Sequence, residues 1–326
     1  MRFNVLVVGG LGHVGSAVSS ELSSLPIVGS VVATSRNPVS KCNLPVEVLD
    51  ITESSLGTTV EVFRKYDLVV DCAGPSAILG EPISHAAATA GVPLVSAGHK
   101  KSATCRTHVQ VHRCGAIPGA LASAFQLANC EPGSKIEVVY QFHGPMTVSA
   151  ARDIIDSPST TSTDFNKQPS FASGNKPNLL TAFVDQDALN LANSQGFSVS
   201  LYSLWSSETV VKTLSRAASI GGDRGARLLS AVSHACSDHE KGITIKVASS
   251  SKSALIRIPS TARFIGQVVR FAAEQALEGK VPAKVESFNE LLTDDEFLPR
   301  LIKQSGGCIR SGTSTFATTF EEEGEI

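Results

Sequence analysis

The sequence lacks the features of several large protein classes. Its N-terminal apolar run, Val5 to Val8, is far shorter than the ~20 residues of a membrane span or the ~7–15 residues of a signal-peptide core. Its 28 lysines and arginines do not exceed its 30 aspartates and glutamates. A nucleic-acid surface needs a basic excess. We therefore expect a cytoplasmic protein with neither a membrane nor a nucleic acid as a partner.

Cysteine usage excludes two kinds of covalent or metal support. The seven cysteines are odd in number and never form a C-x-x-C pair. This distribution predicts reduced thiols rather than a disulfide framework or a zinc ribbon. The histidines show no metal-ligand spacing with an acidic partner, so we expect no metal site.

The chain is long enough for about two domains, since 326 residues exceed the usual domain length of about 100–200. Short apolar runs with the length of buried strands recur through the first third, at residues 5–8, 31–34, 46–49, 68–72 and 93–96. Helical patterns lie between them, for example at residues 81–90. Alternating strands and helices predict an α/β fold, a Rossmann-type doubly wound parallel sheet.

The middle of the chain follows a different pattern. Residues 136–142 alternate in polarity, as an amphipathic strand does, and further strand candidates lie at 197–202, 243–247 and 254–258. We also expect helices at 119–129 and 261–277, and a loop or lid at 157–178. The predicted domains are a dinucleotide-binding domain over 1–130, an α+β substrate and dimerisation domain over 131–258, and a segment over 259–326 that returns a helix to the first domain and ends in an acidic tail.

A glycine-rich segment follows the first strand and opens a helix. It contains Gly10, Gly12 and Gly15 in a G-x-G-x-x-G pattern, with Leu11, His13 and Val14 between them. In that context the glycines permit a tight turn, close approach of a pyrophosphate and close helix packing. The segment predicts a dinucleotide site; the alternative is a glycine-rich turn without a ligand.

The residues after the second and third strands bear on which dinucleotide binds. An acidic residue after the second strand holds the ribose of NAD, but this sequence has Ser35 and Arg36 there. A hydroxyl and a guanidinium can bind a 2′-phosphate, which favours NADP (NADPH) as the cofactor. Arg36 could equally be a surface charge. Asp50 either caps a turn with Thr52 or lies near the adenine.

The small residues Cys72, Ala73, Gly74 and Pro75 follow the fourth strand. Because they are small and lie at the carboxyl edge of the sheet, a nicotinamide ribose could approach their backbone closely. The alternative is an ordinary turn after a strand, which has the same composition.

Several segments together resemble the saccharopine dehydrogenase-like reductases. They are the glycine turn, Cys72–Pro75, Gly91–Ser96, Gly115–Gly119, and Ala276–Pro282 followed by Val285, Glu286 and Phe288. The resemblance covers most of residues 4–130 and 261–302, and Ser96 stands where that family usually has an aspartate. It implies NAD(P)-dependent hydride transfer to or from a C=N, C=O or C=C bond.

Hydride transfer also needs an acid or base beside the reacting bond. His99 and Lys100 follow the fifth strand on the cofactor edge and are candidates, as is His143 at the end of the strand at 136–142. Thr147 and Arg152 would line a substrate pocket, with Arg152 binding a carboxylate. The alternatives are a solvated basic loop, a helix cap at Thr147 and a surface charge at Arg152.

These features predict a homodimeric NADPH-dependent oxidoreductase that reduces a C=N or C=O bond of a small, amino-acid-derived biosynthetic intermediate. The Y-x-x-x-K pair of short-chain dehydrogenases is absent from the sequence. One alternative is an opine-type or homospermidine-synthase-like condensing enzyme that uses NAD(P). Another is a non-catalytic dinucleotide-binding sensor, which would need the glycines but no proton donor.

Overall fold

The computed structural model describes residues 2–37, 43–98, 108–117, 119–156, 180–183, 185–205, 207–237, 242–282, 287–292 and 296–313. Contacts divide the chain into two compact units. The first unit consists of Met1–Ala120 and Ala262–Phe297, and the second of Leu121–Thr261 and Leu298–Ile326. Within the described residues, no helix combines the length and hydrophobicity that crossing a membrane requires.

The described elements have the following bounds. The strands are β1 (Phe3–Val8), β2 (Val28–Ser35), β3 (Val46–Val48), β4 (Leu68–Asp71), β5 (Leu94–Ser96), β6 (Gln110–Val111), β7 (Lys135–His143), β8 (Leu180–Phe183), β9 (Ser198–Leu204), β10 (Gly242–Ala248), β11 (Lys252–Ile258) and β12 (Cys308–Thr313). The α-helices are α1 (His13–Ser23), α2 (Leu56–Phe63), α3 (Ser76–Ala90), α4 (Val148–Ile155), α5 (Gln186–Ser194), α6 (Glu208–Ile220), α7 (Gly222–Cys236), α8 (Thr261–Leu277) and α9 (Phe297–Gln304). Two 3₁₀ helices cover Ala120–Ala128 and Phe288–Leu291.

The sheet of the first unit has the strand order β3-β2-β1-β4-β5-β6. Every neighbouring pair of strands in it is parallel. This is the order of the doubly wound dinucleotide-binding fold, in which the strand order reverses between β1 and β4. The predicted α/β, Rossmann-type fold with a second α+β part is therefore confirmed.

The central strands of this sheet consist of apolar residues because helices cover both faces. Leu6 of β1 and Val69 of β4 are fully buried, and they share a core cluster with Phe63 of α2 and Ile83 of α3. The same burial explains why these strands read as continuous apolar runs rather than as alternating ones.

The third helix begins earlier than the sequence pattern predicts. The pattern places a helix at residues 81–90, where Pro82 suits a first turn. The structure instead begins α3 at Ser76, directly after Pro75, and keeps Pro82 inside the helix. Gly91, with a φ of 74°, ends α3 in the left-handed conformation.

Helix α8 has the bounds that the sequence predicts, and it packs on α1. A Cβ at Gly266 would lie 3.3 Å from the carbonyl oxygen of Ala17, so the two helices approach closely. Arg270 also lies 3.6 Å from the carboxylate of Glu21. The segment Ala262–Phe297, which contains most of α8, therefore belongs to the first unit.

The second unit contains a mixed sheet with the order β12-β11-β10-β7-β9-β8. Its central strand β7 pairs antiparallel with β10 and parallel with β9. The strands predicted at 136–142, 197–202, 243–247 and 254–258 correspond to β7, β9, β10 and β11. Tyr140 of β7 is buried, and its hydroxyl donates to the carbonyl oxygen of Leu121 at 3.3 Å.

Three helices of the second unit share an apolar cluster. Ala151 of α4, Leu214 of α6 and Leu229 of α7 are buried in it. Helices α5, α6 and α7 are not among the elements expected from the sequence pattern. Val210, Leu214 and Ala217 have the spacing of one helix face, so a signal for α6 is present in the sequence.

The division of the chain differs from the predicted domains in two places. The boundary lies after Ala120 rather than at residue 130, and the predicted helix at 119–129 is a 3₁₀ helix. Strand β12 pairs with β11, so the chain after Leu298 belongs to the second unit. The predicted loop at 157–178 and the acidic tail lie outside the described residues.

The buried strand core predicts a large difference between two leucines. Leu6→Ala should lower the free energy of unfolding by about 2–5 kcal/mol, because it leaves a cavity at a fully buried position. Leu56→Ala in α2, where the side chain is 43% exposed, should change it by less than about 0.5 kcal/mol. Urea unfolding followed by circular dichroism measures both; equal losses would contradict the described core.

Candidate functional site

The turn after β1 is held by backbone hydrogen bonds. The Gly12 N–H donates to the Gly9 carbonyl at 3.0 Å, and the Gly10 N–H donates to the Val7 carbonyl at 3.1 Å. The hydroxyl of Thr34, on the neighbouring strand β2, accepts from the Gly9 N–H at 3.1 Å. The turn is therefore tied to both β1 and β2.

Steric crowding explains the glycines in this turn. A Cβ at Gly15 would lie 2.1 Å from the Gly9 carbonyl oxygen, and one at Gly10 would lie 2.8 Å from the Cβ of Ala33. Gly9 has a φ of +74°, and a Cβ there would lie 3.0 Å from the backbone nitrogen of Ala73. The turns after β1 and β4 thus touch at the point where the strand order reverses.

The N-terminus of α1 is suited to an anion. Gly12 is its N-cap residue, no side chain caps it, and its first turn contains no acidic residue. The partial positive charge of the helix end is therefore not offset by the first turn of α1 itself. Leu11 and His13 are exposed beside it, and Val14 is half-buried.

The residues predicted to recognise the adenosine side lie at the ends of β2 and β3. Ser35 ends β2, and its hydroxyl accepts from the Asn37 N–H at 3.3 Å. Asp50 accepts from the N–H of Thr52 at 2.9 Å and from its hydroxyl at 2.7 Å. These hydrogen bonds, and the nearby charge of Arg36, lower the pKa of Asp50. Asp50 therefore makes the turn-capping contacts that the sequence suggests, and Arg36 lies close enough to interact with it.

The turn after β4 contains the predicted residues Cys72, Ala73, Gly74 and Pro75. The Cys72 N–H donates to the Val8 carbonyl at 2.9 Å, which ties this turn to β1. Burial raises the pKa of the Cys72 thiol, and the charge of Asp71 raises it further. The thiol is therefore protonated at neutral pH and is a poor nucleophile.

A hydrogen-bonded pair joins the ends of β4 and β5. It consists of Asp71, which no sequence motif marks, and Ser96, which the sequence marks only as a departure from the saccharopine dehydrogenase-like pattern. Asp71 and Ser96 are both 1% exposed, and the Ser96 hydroxyl donates to the Asp71 carboxylate at 2.8 Å. Each is the last residue of an apolar strand, which is the sequence signal that could have found them. His99 and Lys100, the catalytic candidates after β5, lie outside the described residues.

The remaining candidates belong to the second unit. The Nε2 of His143 lies 2.8 Å from the hydroxyl of Thr244 on β10. Thr147 is the N-cap of α4, where its hydroxyl accepts from the Ala150 N–H at 3.2 Å. The cap contact is the alternative that the sequence allows for Thr147.

Arg152 of α4 lies between two carboxylates. Its Nε is 2.5 Å from Asp156, and its Nη1 is 2.8 Å from Asp223 of α7. The hydrogen bond to Asp156 is the main reason that the pKa of Arg152 is raised. A substrate carboxylate at Arg152 would compete with these two partners.

The described geometry agrees with that of a known enzyme structure. Saccharopine dehydrogenase (L-Glu forming) from Saccharomyces cerevisiae superimposes with a TM-score of 0.61 over 95% of this chain and 99% of that chain, at 10% sequence identity. The chain has the saccharopine dehydrogenase-like fold. This agrees with the resemblance seen in the sequence motifs. No protein-family model matches the chain, and no curated protein matches it.

Two further solved structures match a smaller part of the chain. UDP-N-acetylglucosamine 4-epimerase from Bacillus cereus matches 29% of this chain and 35% of its own, with 18% identity and a TM-score of 0.25. A mutated uronate dehydrogenase matches 29% of this chain and 39% of its own, with 22% identity and a TM-score of 0.25.

The crowding at Gly15 predicts that this position accepts no larger residue. Gly15→Ala should lower the free energy of unfolding by more than about 1 kcal/mol, because its Cβ would collide with the Gly9 carbonyl. Gly57→Ala in α2 is the matched control. Among the described residues, its Cβ would meet only the Ser55 hydroxyl, at 3.8 Å. Alanine also favours a helix over glycine by about 0.5–1 kcal/mol. Thermal unfolding should therefore shift in opposite directions; a tolerated Gly15→Ala would contradict the described turn.

Proposed function

We propose that the protein is an NADPH-dependent oxidoreductase that reduces a C=N or C=O bond of a small, amino-acid-derived intermediate. The observation that carries this proposal is the position of the glycine turn. It lies at the carboxyl edge of a parallel sheet, where the strand order reverses between β1 and β4. Open parallel sheets of this order bind dinucleotides at that point.

The residues at this edge fit a nicotinamide dinucleotide. The turn from Gly10 to Gly15 and the uncapped N-terminus of α1 would hold the pyrophosphate. The Cys72–Pro75 turn, which contacts Gly9 through Ala73, would border the nicotinamide ribose. When bound, the dinucleotide supplies the hydride, and the protein orients it.

NADPH is preferred over NADH in this proposal because of the residues after β2. Ser35 and Arg36 offer a hydroxyl and a guanidinium, and no carboxylate stands at the end of β2 to repel a 2′-phosphate. Asp50, the carboxylate near Arg36, is already hydrogen-bonded to Thr52. A 2′-phosphate would therefore gain a charge-assisted contact with Arg36.

Proton transfer is assigned in this proposal to His99 or Lys100, which follow β5 by three and four residues, or to His143. Thr147 and Arg152 would contact the substrate in the second unit. The side chain of Asp223 is 74% exposed, so a substrate carboxylate could displace it from Arg152 at little cost. A homodimer in the cytoplasm completes the proposal.

The decisive test measures the affinities of the protein for NADPH and for NADH. Binding is monitored by the fluorescence of the reduced nicotinamide. The wild-type protein should bind NADPH more tightly than NADH. Arg36→Ala should weaken NADPH binding about tenfold or more, because it removes a charged hydrogen-bond partner of the phosphate, and should leave NADH binding unchanged. Arg64→Ala is the matched control, because Arg64 pairs only with Glu61 at the surface among the described contacts.

Three outcomes would contradict the proposal at different points. Binding of neither dinucleotide would exclude the oxidoreductase. Equal losses of NADPH and NADH affinity in Arg36→Ala would show that Arg36 does not recognise the 2′-phosphate. Tight NADPH binding without oxidation of NADPH by any imine or carbonyl substrate would favour a dinucleotide-binding sensor.

A further inference from the structure

The ends of β4 and β5 carry the same local turn. The Oδ1 of Asp71 accepts from the N–H of Ala73, two residues on, at 2.9 Å. The Oγ of Ser96 accepts from the N–H of Gly98, also two residues on, at 3.1 Å. Aspartate and serine side chains both stabilise turns in this way. Asp71 and Ser96 are also register partners in the sheet.

One hydrogen bond joins these two turns. The Ser96 hydroxyl donates to Oδ2 of Asp71 at 2.8 Å, and both residues are 1% exposed. The Asp71 carboxylate therefore accepts on both oxygens, from a backbone N–H and from a hydroxyl. Burying a carboxylate is unfavourable unless such hydrogen bonds compensate it, so the two turns depend on each other.

The joined turns position the surrounding backbone closely. Ala73 is the residue that a Cβ on Gly9 would approach to 3.0 Å, so the β4 turn contacts the glycine turn. Gly98 lies against α3, because a Cβ there would be 2.8 Å from the Cβ of Ser76, the first residue of that helix. A displacement of either strand end would therefore move the start of α3 and the contact with Gly9.

We propose that Asp71 and Ser96 are a pair of positioning residues for the nicotinamide half of the dinucleotide. This inference rests on the proposed function. In the strand order of this sheet, the adenosine half lies over β1 and β2, and the nicotinamide half lies over β4 and β5. Loss of the pair therefore weakens the contacts of one half of the ligand and spares those of the other.

The experiment compares two ligands that differ by the nicotinamide half. NADPH contains both halves, whereas 2′,5′-ADP contains only the adenosine half. If the wild type prefers NADH, the experiment uses NADH and 5′-AMP instead of NADPH and 2′,5′-ADP. Asp71→Asn should weaken NADPH binding about tenfold, because the amide has one acceptor oxygen and cannot accept from both the Ala73 N–H and the Ser96 hydroxyl. The same variant should bind 2′,5′-ADP within about twofold of the wild type. Ser96→Ala should show the same selective loss.

Exchange of the two residues provides a rescue that tests the connecting hydrogen bond itself. In the double variant Asp71→Ser/Ser96→Asp, each side chain can still accept from the N–H two residues on. The hydroxyl on β4 can donate to the carboxylate on β5, so the connecting hydrogen bond is kept with its direction reversed. We expect this variant to recover most of the NADPH affinity lost in either single variant.

Asp67→Asn is the matched control for the loss of charge. Asp67 directly precedes β4, at the opposite end of the strand from Asp71, and its carboxylate accepts from the backbone N–H of Asn4 at 2.7 Å. This variant also removes a carboxylate that accepts a backbone N–H, but at the other edge of the sheet. It should leave the affinities for NADPH and 2′,5′-ADP unchanged.

The possible results separate this inference from the proposed function. Equal losses for NADPH and 2′,5′-ADP in Asp71→Asn and Ser96→Ala would overturn the inference, as would unchanged affinities for both ligands. Failure of the wild type to bind any of the dinucleotides would instead remove the proposed function and the inference with it. If Asp71→Asn fails to fold, the test uses Ser96→Ala and the double variant Asp71→Ser/Ser96→Asp. Both are measured with the same two ligands.

Discussion

The structure of the candidate site depends on close backbone packing between the turns after β1 and β4. Gly9, Gly10 and Gly15 bring backbone atoms so near to one another, and to Ala73, that a single Cβ would separate them. This packing leaves the N-terminus of α1 without a side-chain cap at the edge of the sheet. The turns after β2, β4 and β5 lie at the same edge of the sheet as the glycine turn, because all these strands are parallel. A dinucleotide would therefore meet backbone groups of several strands at one place.

The sequence predicts the parts of the fold in which local pattern and tertiary burial agree. The apolar runs of β1 and β4 identify buried parallel strands because both of their faces are covered, and the long pattern of α8 gives that helix its correct bounds. Other elements depend on contacts between distant segments. Strand β12 is polar and exposed, and it is a strand because it pairs with β11. Residues 120–128 are rich in buried apolar side chains, which indicate a helix but do not distinguish a 3₁₀ helix from an α-helix.

The candidate site is predictable to a similar degree. The spacing of Gly10, Gly12 and Gly15 identifies the turn after β1 because a Cβ at each of them would crowd a backbone atom no more than about six residues away along the chain. The link between Asp71 and Ser96 joins residues 25 positions apart, so no local pattern reveals it. Arg152 and Thr147 illustrate the opposite case. Their residue types suit a substrate pocket, but within the second unit the structure gives each of them partners that also explain their presence.

Hydrogen–deuterium exchange of the backbone amides, with and without NADPH, tests the central claim most directly, because it locates the bound dinucleotide without assuming a substrate. We expect slower exchange in peptides that cover residues 9–16, 34–37 and 72–76, with exchange in β12, an edge strand of the second sheet, unchanged. NADPH that binds but slows exchange only outside these three segments would contradict the account, since the glycine turn would then not be the dinucleotide site.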